Sequence, residues 1–467
     1  MIVIGGGLAG LSSGVALAET GWRVRLFEQR PFLGGRATSY VLPDGEHVDN
    51  CQHVTFGCCT NLEDFYRRVG VGDKIKFYDR LLLVDPQGRQ GALQGGILPA
   101  PLHLTGSFLT FSPLSTKDKL AIARAMFAIV RSKGMPEELK GARDVSMLEW
   151  LQKTGQTKQA IERFWRAVLV SALSEELDSI DARYGIQVFW KSVLENRKGY
   201  LMGVPTVELG TLYELCRTSI ESKGGEVNFR TPVRKLRFEG NELKAVVFDQ
   251  GREEQADTFI LALPHDTVDQ LLPEQVKRDN PALAQIAKIK DAPITGVHFW
   301  FDREVMTEPF LTLLDTTTQW VFNKTALYGQ TNGSGGRKAQ YLQLVISASY
   351  DLLEKPRQEI IDLCLAEVRQ ALPAARQANL LKATVIKEAA ATFSPQPGVD
   401  RWRPMQQTSV GGMFLAGDWT STGWPATMEG AVRSGYLAAE AVLRKAGTPR
   451  TFLKPDLPPG GLMGLLT

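Results

Sequence analysis

"MIVIGGGLAG", Met1–Gly10, decides the fold. Met1 to Ile4 is a short apolar run of the kind that forms a strand buried on both faces. Gly5, Gly7 and Gly10 then take the spacing G-x-G-x-x-G, Leu8 to Thr20 has helical composition, and Val24 to Glu28 is a second apolar strand ending in an acid. Gly5 permits the tight turn, Gly7 lets a pyrophosphate approach the backbone, and Gly10 lets the helix pack on the strand. Leu8 and Ala9 open that helix, whose free N–H groups and partial positive charge attract an anion. Glu28, flanked by Gln29 and Arg30, is placed to accept hydrogen bonds from the hydroxyls of an adenosine ribose. An acid there disfavours a 2′-phosphate, so FAD or NAD is expected rather than NADP. A glycine turn alone says little; strand, turn, helix and acid in this order specify a Rossmann-like dinucleotide-binding domain.

The chain has 467 residues, enough for a large core in two lobes. Its net charge of +3 gives no electrostatic case for nucleic acid. Five cysteines with no C-x-x-C pair and no metal-ligand spacing point to a reducing compartment, the cytoplasm. The apolar N-terminus lacks a basic flank and holds three glycines at its centre, which reads as strand and turn, not as a signal peptide. No apolar run reaches the length of about 18 residues that a spanning helix needs.

Beyond Glu28 comes "EQRPFLGGRATSYVLPDGEHVDNCQH", Glu28–His53. Gly34-Gly35-Arg36 follows the ribose acid by one short loop, and a plain NAD domain has no use for it. With Gly5, Gly7, Gly10, Glu28, Arg30, Gly34, Gly35, Arg36, Gly45 and Asp49 in this order, the chain resembles the FAD-dependent amine oxidase and carotenoid desaturase superfamily. The resemblance implies FAD, with Gly34, Gly35 and Arg36 along the pyrophosphate and flavin edge and Cys51, Gln52 and His53 near the isoalloxazine. It also gives a meaning to "FLAGDWTSTGWPATMEGAVRSG", Phe414–Gly435, a second strand–turn–helix junction near the other end of the chain. A long cofactor needs two grips. Gly417, Asp418 and a helix starting near Thr427 would hold the ribityl chain and flavin carbonyls, with Ala426, Thr427 and Met428 beside the ring. Between the two junctions, Gly210 to Gly224 reads as a helix, followed by strands in "GGEVNFRTPVRKLRF", "ELKAVVFD" and "DTFILALP". In the superfamily this is the return of the chain to the nucleotide domain, where Val233 would touch adenine through its backbone.

The expected architecture is α/β: a Rossmann-like FAD-binding domain of glutathione-reductase or amine-oxidase type from 1–75, 206–284 and 391–446, an inserted α+β substrate domain from 76–205 and 285–390, and a tail, 447–467. The first insertion reads as helical and oily. A helix of about 15 residues in "STKDKLAIARAMFAIVRSKG" is only ~22 Å long, too short to span a bilayer. Two readings stay open: it lies on a membrane surface, on the inner face of the cell membrane, or it covers an apolar substrate cavity. The second insertion carries strand patterns in "ITGVHFWFD", "QWVFNK" and "AQYLQLVIS", with a hairpin turn expected in "GQTNGSGGR". No second dinucleotide motif is found, so electrons are expected from a separate donor.

A narrower resemblance is to the squalene-associated branch, the bacterial hydroxysqualene dehydroxylases. It rests on "FLGGRATSY", "VDNCQHVTFGCCTN", "QWVFN", "KEAAATFSPQPGVDRWRP" and "FLAGDWTSTGWPATMEGAVRSGYLAAEAVL", although Cys51 stands where glycine is expected. It implies a C30 isoprenoid alcohol whose allylic hydroxyl is protonated, leaves as water and is replaced by hydride from reduced flavin, giving squalene. His53 and Asp49 are the candidates for the proton donor. The same fold also hosts carotenoid desaturases, protoporphyrinogen oxidases and amine oxidases; Thr427 stands where an amine oxidase would carry a flanking aromatic. A reading of another class is a prenyl-protein escort without flavin chemistry, against which the intact glycines and Glu28 speak.

Overall fold

Five strands of three residues each are too short to be stable unless both faces are covered. The computed structural model, which describes residues 1–141, 144–329 and 339–465, covers them with helices. The strands run parallel in the order Glu226–Asn228, Arg25–Phe27, Ile2–Ile4, Phe259–Leu261, Met413–Leu415. Ile4 lies opposite Phe27 and Leu261, and Leu261 opposite Leu415. Gly5, Glu28, Ala262 and Ala416 therefore leave the sheet at one edge. From Ile2–Ile4 the chain adds strands first on one side and later on the other, which makes this strand the switch point where an open α/β sheet forms its crevice.

The helices Leu8–Ala18 and Met428–Lys445, one from each junction, pack against each other. Their crossing is close because Gly435 has no side chain: a Cβ there would lie 2.1 Å from Ser12 Oγ and 2.4 Å from Ala9 O. Gly10 is fixed in the same way, since a Cβ would meet Gly5 O at 1.9 Å. The helix expected at 210–224 is Thr211–Glu221, and an antiparallel meander of Lys235–Glu239, Glu242–Val247 and Glu253–Gln255 stands beside the sheet.

A second sheet of seven strands has the order Leu380–Phe393, Asp291–Phe301, Gln340–Ser347, Trp320–Asn323, Phe310–Leu313, Arg80–Val84, Gln90–Gln94. Side chains alternate across it. Val297, Phe299 and Phe301 pack with Ile360, Cys364 and Val368 of the helix Arg357–Ala371. Gly296, His298 and Trp300 lie on the other face, where Gly296 stands against the Asn50 carbonyl and Cys51.

The structure differs from the sequence reading in two places. Region 76–205 is not helical throughout: Arg80–Val84 and Gln90–Gln94 form a hairpin that joins the second sheet, its turn held by the Asp85 carboxylate, which accepts the N–H groups of Gln87 and Arg89. The strand Leu380–Phe393 runs unbroken through 390, so the change of lobe lies beyond it. The expected tail, described through 465, is packed onto the body. Phe452 is buried, Lys454 N–H donates to Asn61, Asp456 pairs with Arg433, and Leu462 N–H donates to Ala100 O at 3.0 Å. The strands flanking the expected hairpin turn in "GQTNGSGGR" are antiparallel; from Gln330 on that loop lies outside the described residues.

Candidate active site

The first junction is a cradle without a plug. Gly7 precedes the helix Leu8–Ala18 in extended conformation and no side chain caps it, although Leu8, Ala9 and Gly10 are buried. Uncapped N–H groups at a buried helix start call for an anion. Beside it, Glu28 is buried, and its two oxygens accept the N–H groups of Gly6 and Arg30, each at 2.7 Å. Each carboxylate oxygen keeps a lone pair for a hydroxyl. Gln29 is exposed. Thr231 N–H donates to Glu28 O, which brings the half-buried Val233 segment alongside.

The glycine pair lies against this turn: Gly34 N–H donates to Gly6 O at 2.9 Å, and Gly35 O accepts from Arg30 at 3.2 Å. Arg36 then reaches across to the other end of the chain. Its guanidinium donates to Asp418 Oδ1 at 2.7 Å and to Ala391 O at 2.8 Å. Two segments 382 residues apart are thus joined by one ion pair at the crevice. Gly417 N–H donates to Ser434 Oγ, Ala426 is buried, and Thr427 caps the helix that starts at Met428 by accepting Gly430 N–H at 3.0 Å. The loop between is held by Arg403, which sequence reasoning missed. Its Nη2 donates to the carbonyls of Asp418, Thr420 and Trp424.

Asp49 and Lys324 form an ion pair at 2.7 Å with both side chains fully buried. Asp49 Oδ2 also accepts from Tyr328 Oη at 2.6 Å, and Oδ1 from Ser39 Oγ and Leu209 N–H. Burial by itself would raise the carboxyl pKa; Lys324, Tyr328 and the Leu209 N–H outweigh it and hold Asp49 below the ordinary carboxylate range. The expectation that Asp49 donates a proton is corrected: it is a clamped carboxylate. Lys324 Nζ also donates to Gln52 Oε1 at 2.7 Å, which fixes the turn Cys51–His53. His53 Nδ1 lies 2.9 Å from Cys51 O. A carbonyl only accepts, so Nδ1 carries the proton and Nε2 the lone pair. Desolvation lowers the His53 pKa from its usual 6.5, with the Cys51 carbonyl opposing. Desolvation thus favours the uncharged imidazole at neutral pH, and the proton-donor role expected of His53 would fall to its minor charged form. Burial pushes the Cys51 thiol up to about 12, so it is inert as a nucleophile.

Around Cys51 the packing is apolar and rich in rings. Met202, Val204, Phe310, Phe322 and Val345 cluster with it, and Trp320 stacks on Phe322 with centroids 5.7 Å apart. His298, also missed from sequence, faces the same segment; its Nδ1 lies 2.8 Å from Tyr341 Oη, and burial pushes its pKa down to about 3. The signals were a lone lysine after "QWVFN" and a lone histidine inside "ITGVHFWFD".

Residues 8–443 match the family of flavin containing amine oxidoreductases. The chain belongs to that family. FAD is its cofactor, and the chain is an FAD-dependent oxidoreductase. It is 27% identical to the 15-cis-phytoene desaturase of Solanum lycopersicum over 95% of this chain and 77% of that one. It is 26% identical to the zeta-carotene desaturase of a Synechocystis strain, over 94% and 96%. Among solved structures, an oxidoreductase from Methanosarcina mazei has a TM-score of 0.73 at 17% identity, covering 95% of this chain and 99% of that one. A putrescine oxidase bound to putrescine has a TM-score of 0.70 at 15%, covering 95% and 98%. These confirm the fold. Among the described residues no helix is long and apolar enough to cross a membrane.

The residues present fit the cofactor. The uncapped helix start at Gly7–Gly10 suits a pyrophosphate, Glu28 suits a ribose diol, and the junction at Gly417–Met428 lies two strands away along the same sheet edge.

Proposed function

We propose that this FAD-dependent oxidoreductase transfers hydride between the cofactor and a long acyclic isoprenoid, in the first reading converting hydroxysqualene to squalene. The observation that carries the apolar substrate is the ring-rich cluster of Phe310, Trp320 and Phe322 built around the Cys51 turn. FAD bound between the two junctions would supply the hydride. The chain's own residues do the rest: Glu28 and the glycine turn bind, Arg36 and Asp418 draw the two grips together, and Lys324 with Gln52 orients the Cys51–His53 turn. In dehydroxylation the hydroxyl takes a proton from the minor charged form of His53, the C–O bond breaks as water leaves, and hydride fills the carbon. A cation formed on the way is favoured by electron-rich ring faces. The squalene branch motifs and the apolar cluster support this reading. A separate reductant would reload the flavin.

A second reading, carotene desaturation, runs the hydride the other way. It is favoured by the named activities of the relatives and by the free Nε2 of His53, a proton acceptor in the resting state. Anaerobic mixing separates the two. Chemically reduced protein with hydroxysqualene should give squalene and reoxidised flavin; oxidised protein with phytoene should then leave the flavin oxidised. Flavin bleaching by phytoene with no squalene formed from hydroxysqualene would reverse the order, and silence in both would remove the isoprenoid.

A further inference from the structure

The five most exposed large apolar side chains among the described residues are Ile97, Leu465, Leu120, Phe127 and Leu109, between 95% and 65% accessible. Four lie between residues 97 and 127 and the fifth near the C-terminus, on segments that hydrogen bonds link to one another. Leu120 and Phe127 stand two turns apart on the outer face of the helix Thr116–Arg131, whose inner face buries Ile122, Ala125 and Ile129. Lys119 Nζ donates to Leu109 O at 2.7 Å, which seats Leu109 beside the start of that helix. The C-terminal turn Gly461–Leu465 is clipped to the Ile97 loop: Leu462 N–H donates to Ala100 O, and Gly461 abuts Pro99.

We propose that this face docks on a lipid bilayer carrying anionic headgroups, with the C-terminal turn as a second apolar anchor beside the helix. Charge selects the occupant. Residues 95–135 hold Lys117, Lys119, Arg124, Arg131 and Lys133 against one acid, Asp118, and Asp118 is buried in the helix cap. Among the described residues none of these five cations is in an ion pair, and Lys119 and Arg124 donate to backbone carbonyls. A second copy docked about a two-fold axis would set like charges against each other. Anionic lipid neutralises them, each cation near the surface being worth roughly a fivefold gain in partitioning. Apolar side chains scattered singly need no explanation; a group of them on linked segments that also carry unpaired cations does.

Flotation of the full FAD-loaded chain tests this without any substrate, so its outcome is independent of the reaction assigned above. The probes are vesicles of phosphatidylcholine alone and of phosphatidylcholine with phosphatidylglycerol. The native chain should float with the mixed vesicles, and high salt should weaken binding. Leu120→Gln/Phe127→Gln and Leu462→Gln/Leu465→Gln should each lower the bound fraction several-fold, and Lys117→Glu/Lys133→Glu should lower it by at least about tenfold. All six side chains are exposed, and unchanged FAD absorbance and melting would show intact folding. No flotation by the native chain overturns the proposal. So does flotation that Leu462→Gln/Leu465→Gln leaves untouched, or light scattering that shows a dimer which Leu120→Gln/Phe127→Gln dissolves.

Discussion

Glu28 shows how much one side chain can be asked to do. Its carboxylate orders the glycine turn through Gly6 N–H and its own strand end through Arg30 N–H, and it has capacity left for a diol. Hydrogen bonds to a charged group are worth roughly 1.5–3 kcal/mol each. Glu28→Ala should therefore cost the protein its FAD during gel filtration, and the eluted protein should be nearly colourless. Full flavin occupancy after the column would sink the assignment. His53 supports a second prediction because its tautomer is fixed and its pKa lies below 6.5. If charged His53 protonates the leaving hydroxyl, turnover falls as pH rises through that lowered pKa and is feeble at pH 7. If neutral His53 accepts a proton during desaturation, turnover rises through the same range. Either limb should vanish in His53→Gln; a pH profile identical in the two proteins would take His53 out of proton transfer.

Elements are where glycine decides contact. Gly435 lets the two junction helices touch, and a methyl group there would press on Ser12 Oγ and Ala9 O. Overpacking of this kind costs about 1–3 kcal/mol, so Gly435→Ala should lower the melting temperature by several degrees. Gly106 has open space around it in the short helix Thr105–Leu109, so Gly106→Ala should be neutral or mildly stabilising. Equal melting shifts in the two variants would refute the crossing argument. Such elements were legible beforehand, because G-x-G-x-x-G and Gly417-Asp418 act locally and their neighbours follow. The hairpin Arg80–Gln94 was not read. "RLLLV" is too short to separate strand from buried helix, and its partner Phe310–Leu313 lies over 200 residues away. Lys324 was legible as a lone lysine after "QWVFN", but its role was not, for a related reason. A lysine ending a strand usually reaches solvent, and its partner Asp49 is 275 residues distant, so only the closed fold reveals it as buried.

At the scale of the whole molecule, the Asp49–Lys324 pair ties the two lobes together. Asp49 ends the strand His47–Asp49 of the cofactor lobe, and Lys324 opens the short helix after Trp320–Asn323 in the second sheet. A fully buried pair contributes little over a well-packed apolar one, but removing one partner strands the other's charge and costs about 3–5 kcal/mol. Lys324→Met should therefore destabilise strongly at pH 7, and the double variant Asp49→Asn/Lys324→Met should recover part of the loss. The sign of the pH dependence follows from Asp49, whose folded pKa lies below its unfolded value. In the native chain its contribution is present above the unfolded pKa of about 3.9 and is lost as pH falls through the folded one. Without the ammonium, burial is opposed only by the remaining hydrogen bonds, among them those from Tyr328 and the Leu209 N–H, so the folded pKa rises and the stranded charge is relieved by protonation as pH falls toward 4. The gap in urea midpoint between native and Lys324→Met protein should consequently narrow from pH 7 to pH 4.5. A gap that is absent at pH 7, or constant across that range, would mean that the lobes are held by packing alone and that the Cys51–His53 turn owes its position to something other than Lys324.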